Sequence, residues 1–425
     1  SADVRLCAEW VASYLGRRGF VVETWEASGE TGGHPTLFAS SLQAGASRPT
    51  LLFYGHYDVQ PADPLDEWIT PPFQPSVREG HVYARGAIDN KGQSLYVMAA
   101  LAAFLERGGG EALNLKVVIE GEEEVGSPGL AALLEEKKEE LQADELFIVD
   151  CDMPDRRRPA IVLGVRGLVT LDVRLRNSAA DLHSGLFGGV AMNPALALVQ
   201  ALSRCFDVDG RVAVPNFYDQ VRPLPQKMRA ALDVSVDFKR GASALGVGAL
   251  TTEDKEALVE RNWTEPTLEI NGLTSGYAGE GVKTIIPSQA EVKLSCRLVP
   301  DQDPELISRQ VAAFLKKNAA PGIEVEVDRR EGARAFIADS GSRAAALAAR
   351  AFEAVFRVPC PSVLMGATIP IAADLAEVSG AEVILMGVGL ASDRMHAPNE
   401  CFGLDRFEQG FLVIAELLEQ AAKGE

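Results

Sequence analysis

Six residues spread over most of the chain have the types and settings needed to hold metal ions: His56, Asp89, Glu123, Glu124, Asp150 and His396. Each stands where an apolar, β-prone run gives way to a Gly-rich or polar loop. Loops at the carboxyl ends of strands in an α/β sheet bring residues distant in sequence together, as metal ligands require. Imidazoles and carboxylates with no thiolate among them suit zinc, manganese or cobalt at an open, reactive centre. The six are read as a dinuclear metal site with a carboxylate base beside it, an arrangement that points first to a metallohydrolase.

Taken singly, each signal is modest. In YGHYDVQP, His56 and Asp58 are two apart and point the same way in an extended segment, so Asp58 could hold the far nitrogen of the His56 ring. Most HxD pairs are ordinary surface residues. In ARGAIDNKGQ, Asp89 would alone be a turn or N-cap aspartate. With metal ligands for company, its two oxygens make it the natural bridge between cations about 3.5–4 Å apart. EGEEEVGSPG ends an apolar run with Glu120, Glu122, Glu123 and Glu124. Carboxylates crowded at a strand end repel one another unless cations compensate, although a run of charges is more often a solvated turn. One of these glutamates would bind metal and its neighbour would take a proton from water. FIVDCDMP offers Asp150 or Asp152, and DRMHAPNE offers His396 with Glu400 nearby. His34 and His81 read as surface groups, and His183 in DLHSGLFGG as a loop histidine.

The elements that must position these residues alternate. VRLCAEWVASYL reads as an amphipathic helix with Val4, Cys7, Trp10, Val11, Tyr14 and Leu15 on one face. FVVETWEA, PTLLFYGHYDV, LNLKVVIEG and DELFIVDCD read as strands, with GQSLYVMAALAAFLERGG a buried helix and GLAALLEEKKEEL a surface helix between them. This alternation predicts an α/β fold with a mostly parallel, doubly covered sheet. After about Pro159 the pattern changes: LVTLDVRLRNS alternates like a half-exposed antiparallel strand, and PTLEINGLTSG, AEVKLSCRLVP and IEVEVDRR follow. Helices are expected over ALALVQALSRCF, capped by Asn193 and opened by Pro194, and over PELISRQVAAFLKKN. From about Ala335 the strand–helix alternation resumes. The expected division is a catalytic domain in two parts, 1–163 and 335–425, with an inserted α+β domain over 164–334.

Composition sets outer limits. A chain of 425 residues is too long for one core. With 41 basic and 60 acidic residues the net charge is −19, which argues against nucleic acid or an anionic membrane as partner. No run reaches the length of a transmembrane helix, and SADVRLCAEW carries no apolar signal core. Six scattered cysteines without a CxxC pair read as reduced thiols, so a cytoplasmic location is expected.

In order, HYDVQPA, ARGAIDNKG, EGxEExGS, DLHSGxFGG, SCRLVPDQDP and HAPNE resemble the dinuclear zinc metallopeptidases that include carnosinases, cytosolic nonspecific dipeptidases, aminoacylases, acetylornithine deacetylases and carboxypeptidase G. The resemblance spans nearly the whole chain and is strongest to the dipeptidase branch. It implies two divalent metal ions per chain, zinc first, with manganese and cobalt as alternatives. His56, Asp89 and Asp150 would hold one ion, and Asp89, Glu124 and His396 the other. Asp150 is taken over Asp152 because it lies nine residues before Pro159, the spacing expected in that branch. Glu123 would be the general base, and Asp58 would support His56. The family also carries a cis peptide after the bridging aspartate, here Asp89–Asn90. The insertion would be a lid and homodimer interface, from which His183 reaches the partner subunit's site and stabilises an oxyanion. Arg297, Thr284 and Thr368 fall where that branch grips the substrate carboxylate and backbone, a task that suits the planar guanidinium fork. Without the resemblance, Arg297 would read as a strand-surface ion-pair residue.

The implied activity is hydrolysis of dipeptides with broad side-chain tolerance. Within the family the alternative is an N-acyl amino acid deacylase or a carboxypeptidase, and outside catalysis it is a silent binding protein on the same fold. Silent relatives would be expected to lose the base or a ligand, and all six residues are present.

Overall fold

Four apolar runs, each ending in a polar loop, lie side by side and parallel at the centre of the larger sheet. They are Asn114–Glu120, Thr50–His56, Glu145–Val149 and Glu382–Met386, in that spatial order. The structure, a computed structural model, describes residues 2–27, 33–244, 246–330 and 332–424. Nearly every residue of these strands is buried, as a sheet covered on both faces requires. Val21–Trp25 and Thr36–Ser41 extend the sheet antiparallel at one edge, and Ile161–Val165, Phe336–Ile337 and Ser362–Met365 complete the other. The sheet is thus mainly parallel, with antiparallel margins. Helices Lys91–Glu106, Leu404–Lys423 and Arg343–Phe356 contact one another in series, while Ala372–Ser379 packs with Lys138–Leu141.

A second sheet is wholly antiparallel: Thr267–Ser275, Gln289–Leu298, Gly167–Arg176 and Glu324–Arg329. Its strands alternate, so Val169, Leu171, Val173 and Leu175 face a core of their own together with Ala290, Val292, Leu294 and Cys296. Helices Pro194–Ser203 and Pro304–Asn318 cover that face. Asn193 accepts the N–H groups of Ala195 and Leu196, and Asp303 those of Glu305 and Leu306. Caps of this kind stabilise a helix by about 1 kcal/mol. The apolar core around the larger sheet is separate, and it includes Val259 and Trp263, with Leu224, Leu232, Val236 and Phe238 packed against it. The middle of the chain therefore leans on the first core over 224–263.

Two expectations need correction. Trp10 is not on the apolar face of the first helix, Ala2–Gly16: it is 49% exposed and stacks on Tyr14, while Ala8, Val11 and Leu15 are buried. The segment 129–141 is not one helix but two, Pro128–Leu133 and Lys138–Leu141. The chain turns between them, which sets Lys137 over the Trp25 ring. Among the described residues, no helix is long and apolar enough to cross a membrane.

Candidate metal centre

The four central strands each deliver one element of the site at their carboxyl ends. His56 is the last residue of its strand and pairs in register with Glu120, whose strand runs on into the loop holding Glu123 and Glu124. Asp150 follows Val149, and His396 lies in the loop between Met386 and the strand Cys401–Gly403. Asp89 enters from the loop before Lys91–Glu106, through an Asp89–Asn90 peptide that is cis. Close approach of the loops leaves no room for side chains: a Cβ at Gly387 would lie 2.0 Å from the Cys151 carbonyl oxygen. His396 itself adopts φ +61°, a region that non-glycine residues enter at a cost of roughly 1–2 kcal/mol.

Two groups of side chains converge there, His56, Asp89 and Asp150, and Asp89, Glu124 and His396, with the donor atoms of each group within 4.8 Å of one another. Asp89 belongs to both. Its Oδ1 lies 3.0 Å from His56 Nε2 and its Oδ2 lies 2.7 Å from His396 Nε2. Asp150 Oδ2 is 3.8 Å from His56 Nε2, and Glu124 Oε2 is 3.4 Å from His396 Nε2. Asp152, the neighbour of Asp150, joins neither group.

Asp58 holds three parts of the site at once. Its Oδ1 lies 3.1 Å from His56 Nδ1 and accepts the N–H of Glu123, and its Oδ2 accepts the N–H of Glu124. Glu120 anchors the base of the same turn, accepting from Tyr54 Oη at 2.7 Å and Ser127 Oγ at 2.8 Å. Gln60, Asn90 and Glu400, none of which is expected to have a role from sequence, each grip a candidate ligand. Gln60 donates to Glu124, Asn90 Nδ2 donates to Asp150 Oδ1, and Glu400 accepts the Asp89 N–H. Their only sequence signal is adjacency to the ligand motifs.

The electrostatics show what this donor set lacks. Burial, then the charge of Asp89, pushes the Asp150 carboxyl up to about 7. Burial also drives Glu123 well above the ordinary carboxylate range; His56 opposes that rise, and Asp150, Glu120 and Glu124 add to it. Burial would raise Asp89 too, but hydrogen bonds from His396 and His56 hold it below the usual range. Carboxylates this crowded compete for positive charge, and two imidazoles are too few to satisfy them. A mixed N/O donor set sharing one carboxylate fits a pair of divalent cations.

The remaining expected residues lie in or beside the second sheet. Arg297 Nη1 donates to Thr368 Oγ1 at 2.6 Å, and Thr368 Oγ1 donates to the Gly167 carbonyl. Thr284 is exposed and its carbonyl accepts the Ser184 N–H. His183, also exposed, accepts the Gly185 N–H at Nδ1 and belongs to neither ligand group.

A parallel-centred sheet whose strand ends gather histidines and carboxylates around a shared aspartate defines a metal-dependent hydrolase. Residues 52–420 match the model of Peptidase family M20/M25/M40, and the chain belongs to that family. It is 32% identical over 397 residues to human Beta-Ala-His dipeptidase, covering 92% of this chain and 78% of the human one. It is 30% identical over 399 residues to the Cys-Gly metallodipeptidase DUG1 of Candida albicans, covering 92% and 82%. Among solved structures, the M20 family metallo-carboxypeptidase Sso-CP2 from Sulfolobus solfataricus superimposes with a TM-score of 0.89 at 29% identity, covering 98% of this chain and 94% of that one. The fold and the peptidase class follow. M20 metallopeptidases use divalent metals, and the two ligand groups are this chain's candidates for holding them.

Proposed function

We propose that this protein hydrolyses dipeptides, with His56, Asp89 and Asp150 holding one divalent ion and Asp89, Glu124 and His396 the other. The observation that carries this reading is the bridging position of Asp89, one oxygen beside each histidine. The similarity to two dipeptidases from different organisms supports the substrate class. Zinc is the first candidate for both ions, with manganese and cobalt suited to the same ligands. When bound, such ions polarise a scissile carbonyl and ease deprotonation of water.

The chain's own residues supply the rest. Glu123 takes a proton from the attacking water and returns it to the leaving amine, a task favoured by a carboxyl that burial raises well above the ordinary carboxylate range. Asp58 fixes the His56 ring and holds the Glu123–Glu124 turn, so base and ligands keep one geometry. Arg297, with Thr368 and Thr284, receives the substrate carboxylate and backbone. The 164–334 insertion acts as lid and homodimer interface, and His183 steadies the oxyanion in the partner's site. Exposed Leu186, Val190, Leu196 and Val199 give that interface its apolar surface. Six free cysteines accord with a reducing, cytoplasmic compartment.

A carboxypeptidase is the second reading, favoured by the likeness to Sso-CP2. The deciding experiment assays Ala-Ala, Cys-Gly, longer peptides and N-acetyl amino acids with chelated and metal-restored protein. Metal-dependent cleavage concentrated on dipeptides is expected. Cleavage of only the longer peptides or the acetylated amino acids would overturn the proposal.

A further inference from the structure

The two halves of the proposed centre are built alike, one imidazole and one terminal carboxylate each, but their carboxylates are held differently. Asn90 Nδ2 donates to Asp150 Oδ1 at 2.5 Å and to the Val149 carbonyl at 2.9 Å. Its Oδ1 accepts from Ser94 Oγ at 2.6 Å, and Asn90 is fully buried. Asp150 thus rests on a locked support beside His56, itself fully buried.

Among the described residues, Gln60 alone donates hydrogen bonds to the Glu124 carboxylate. The Gln60 backbone N–H donates to Glu124 Oε1 at 3.1 Å, and Gln60 Nε2 donates to Glu124 Oε2 at 2.7 Å. Gln60 is half-buried, and the imidazole of this half, His396, has a side chain 51% exposed. Glu124 also stands among like charges, with Asp89 across the site and Glu123 next in the chain. A carboxylate so placed swings away from its neighbours unless donors fix it. The backbone N–H fixes one oxygen. The Gln60 carboxamide fixes the other, the one nearest His396.

We infer that Gln60 is a positioning residue for the Glu124–His396 half alone, and that it sets the cation affinity of that half independently of the buried half. This rests on the dinuclear reading above. Losing a partner that orients a metal ligand typically weakens binding 10- to 100-fold. The Asn90-supported half, which Gln60 does not touch with a hydrogen bond, keeps its affinity.

The test is a Zn²⁺ titration of the chelated full chain in competition with a chromophoric chelator, for the wild type, Gln60→Leu and Gln60→Met. Two equivalents are expected in the wild type. In both variants the first equivalent binds as before, which also shows the fold is intact, and the second binds about 10- to 100-fold more weakly. Methionine keeps the length of glutamine without its donor, so a Gln60→Met protein with wild-type affinity overturns the inference. So does equal weakening of both equivalents, or no weakening in either variant. A wild type that takes up fewer than two equivalents defeats the dinuclear reading itself, whatever the variants do.

Discussion

Glu400 Oε1 accepts the backbone N–H of Asp89 at 3.2 Å, joining residues 311 positions apart. The same carboxylate accepts from Ile88 N at 3.0 Å, Gly86 N at 2.9 Å and Arg85 Nη1 at 2.8 Å. The loop that carries the bridging aspartate is therefore folded around one buried charge from the far end of the chain. Glu400 is fully buried and Arg85 nearly so. Removing one partner of a buried ion pair leaves the other uncompensated, at a cost of about 3–5 kcal/mol. Glu400→Gln is expected to lower unfolding stability by that amount in urea titrations and to weaken metal retention. An unchanged midpoint would refute this account of the loop.

Much of this arrangement was legible in the sequence, because buried parallel strands announce themselves as apolar runs and ligand loops as the polar breaks after them. His56, Asp150 and His396 could be found that way. Glu400 could not. Its partners are backbone N–H groups, which carry no sequence signature, and they lie more than 300 residues away. Gln60 and Asn90 were hidden for a related reason: a carboxamide beside a ligand motif looks like any polar loop residue until its donor direction is known. The strand Thr36–Ser41 was also missed, since its two serines blur the apolar run although it is almost wholly buried. Trp10 misled in the opposite sense, because a large aromatic at helical spacing argues for burial that Tyr14 stacking replaces.

Glu123→Gln separates catalysis from metal binding. Glu123 lies outside both ligand groups but beside Glu124, and its backbone is held by Asp58. The amide cannot accept a proton, so the rate with dipeptide should fall at least roughly 10²- to 10⁴-fold. Metal content, measured by atomic emission after dialysis, should stay at two equivalents. A variant with normal turnover would remove Glu123 from the role of base.

Arg297 offers a test of substrate polarity. One arm of its guanidinium is taken by Thr368, and no acidic side chain among the described residues pairs with it. A charge-assisted hydrogen bond to a substrate carboxylate would contribute roughly 1.5–3 kcal/mol, about 10- to 150-fold in kcat/KM. Arg297→Met should therefore lose that factor on a free dipeptide and change little on its C-terminal amide. Equal losses on both substrates would mean that the arginine serves the fold and not the carboxylate.

The chelated protein should lose stability as pH rises from about 6 to 8. Asp150, at about 7, and Glu123, driven by burial well above the ordinary carboxylate range, both bind protons more tightly folded than unfolded, where carboxyls titrate near 4. A carboxyl with a raised folded pKa stabilises the fold at low pH, and that contribution disappears as the pH climbs through the folded value. His56 adds in the same direction: despite burial, hydrogen bonds to Asp58 and Asp89 raise it, so its contribution too is lost at higher pH. Asp89, held low, works the other way, but only below about pH 4, outside this window. Thermal melts of the chelated protein should thus give a lower Tm at pH 8 than at pH 6, and Asp150→Asn should flatten the difference. Adding Zn²⁺ should reverse the trend, since cations bind the deprotonated ligands and gain affinity with pH. A chelated wild type whose Tm rises between pH 6 and 8 would contradict the charge crowding on which the metal assignment leans.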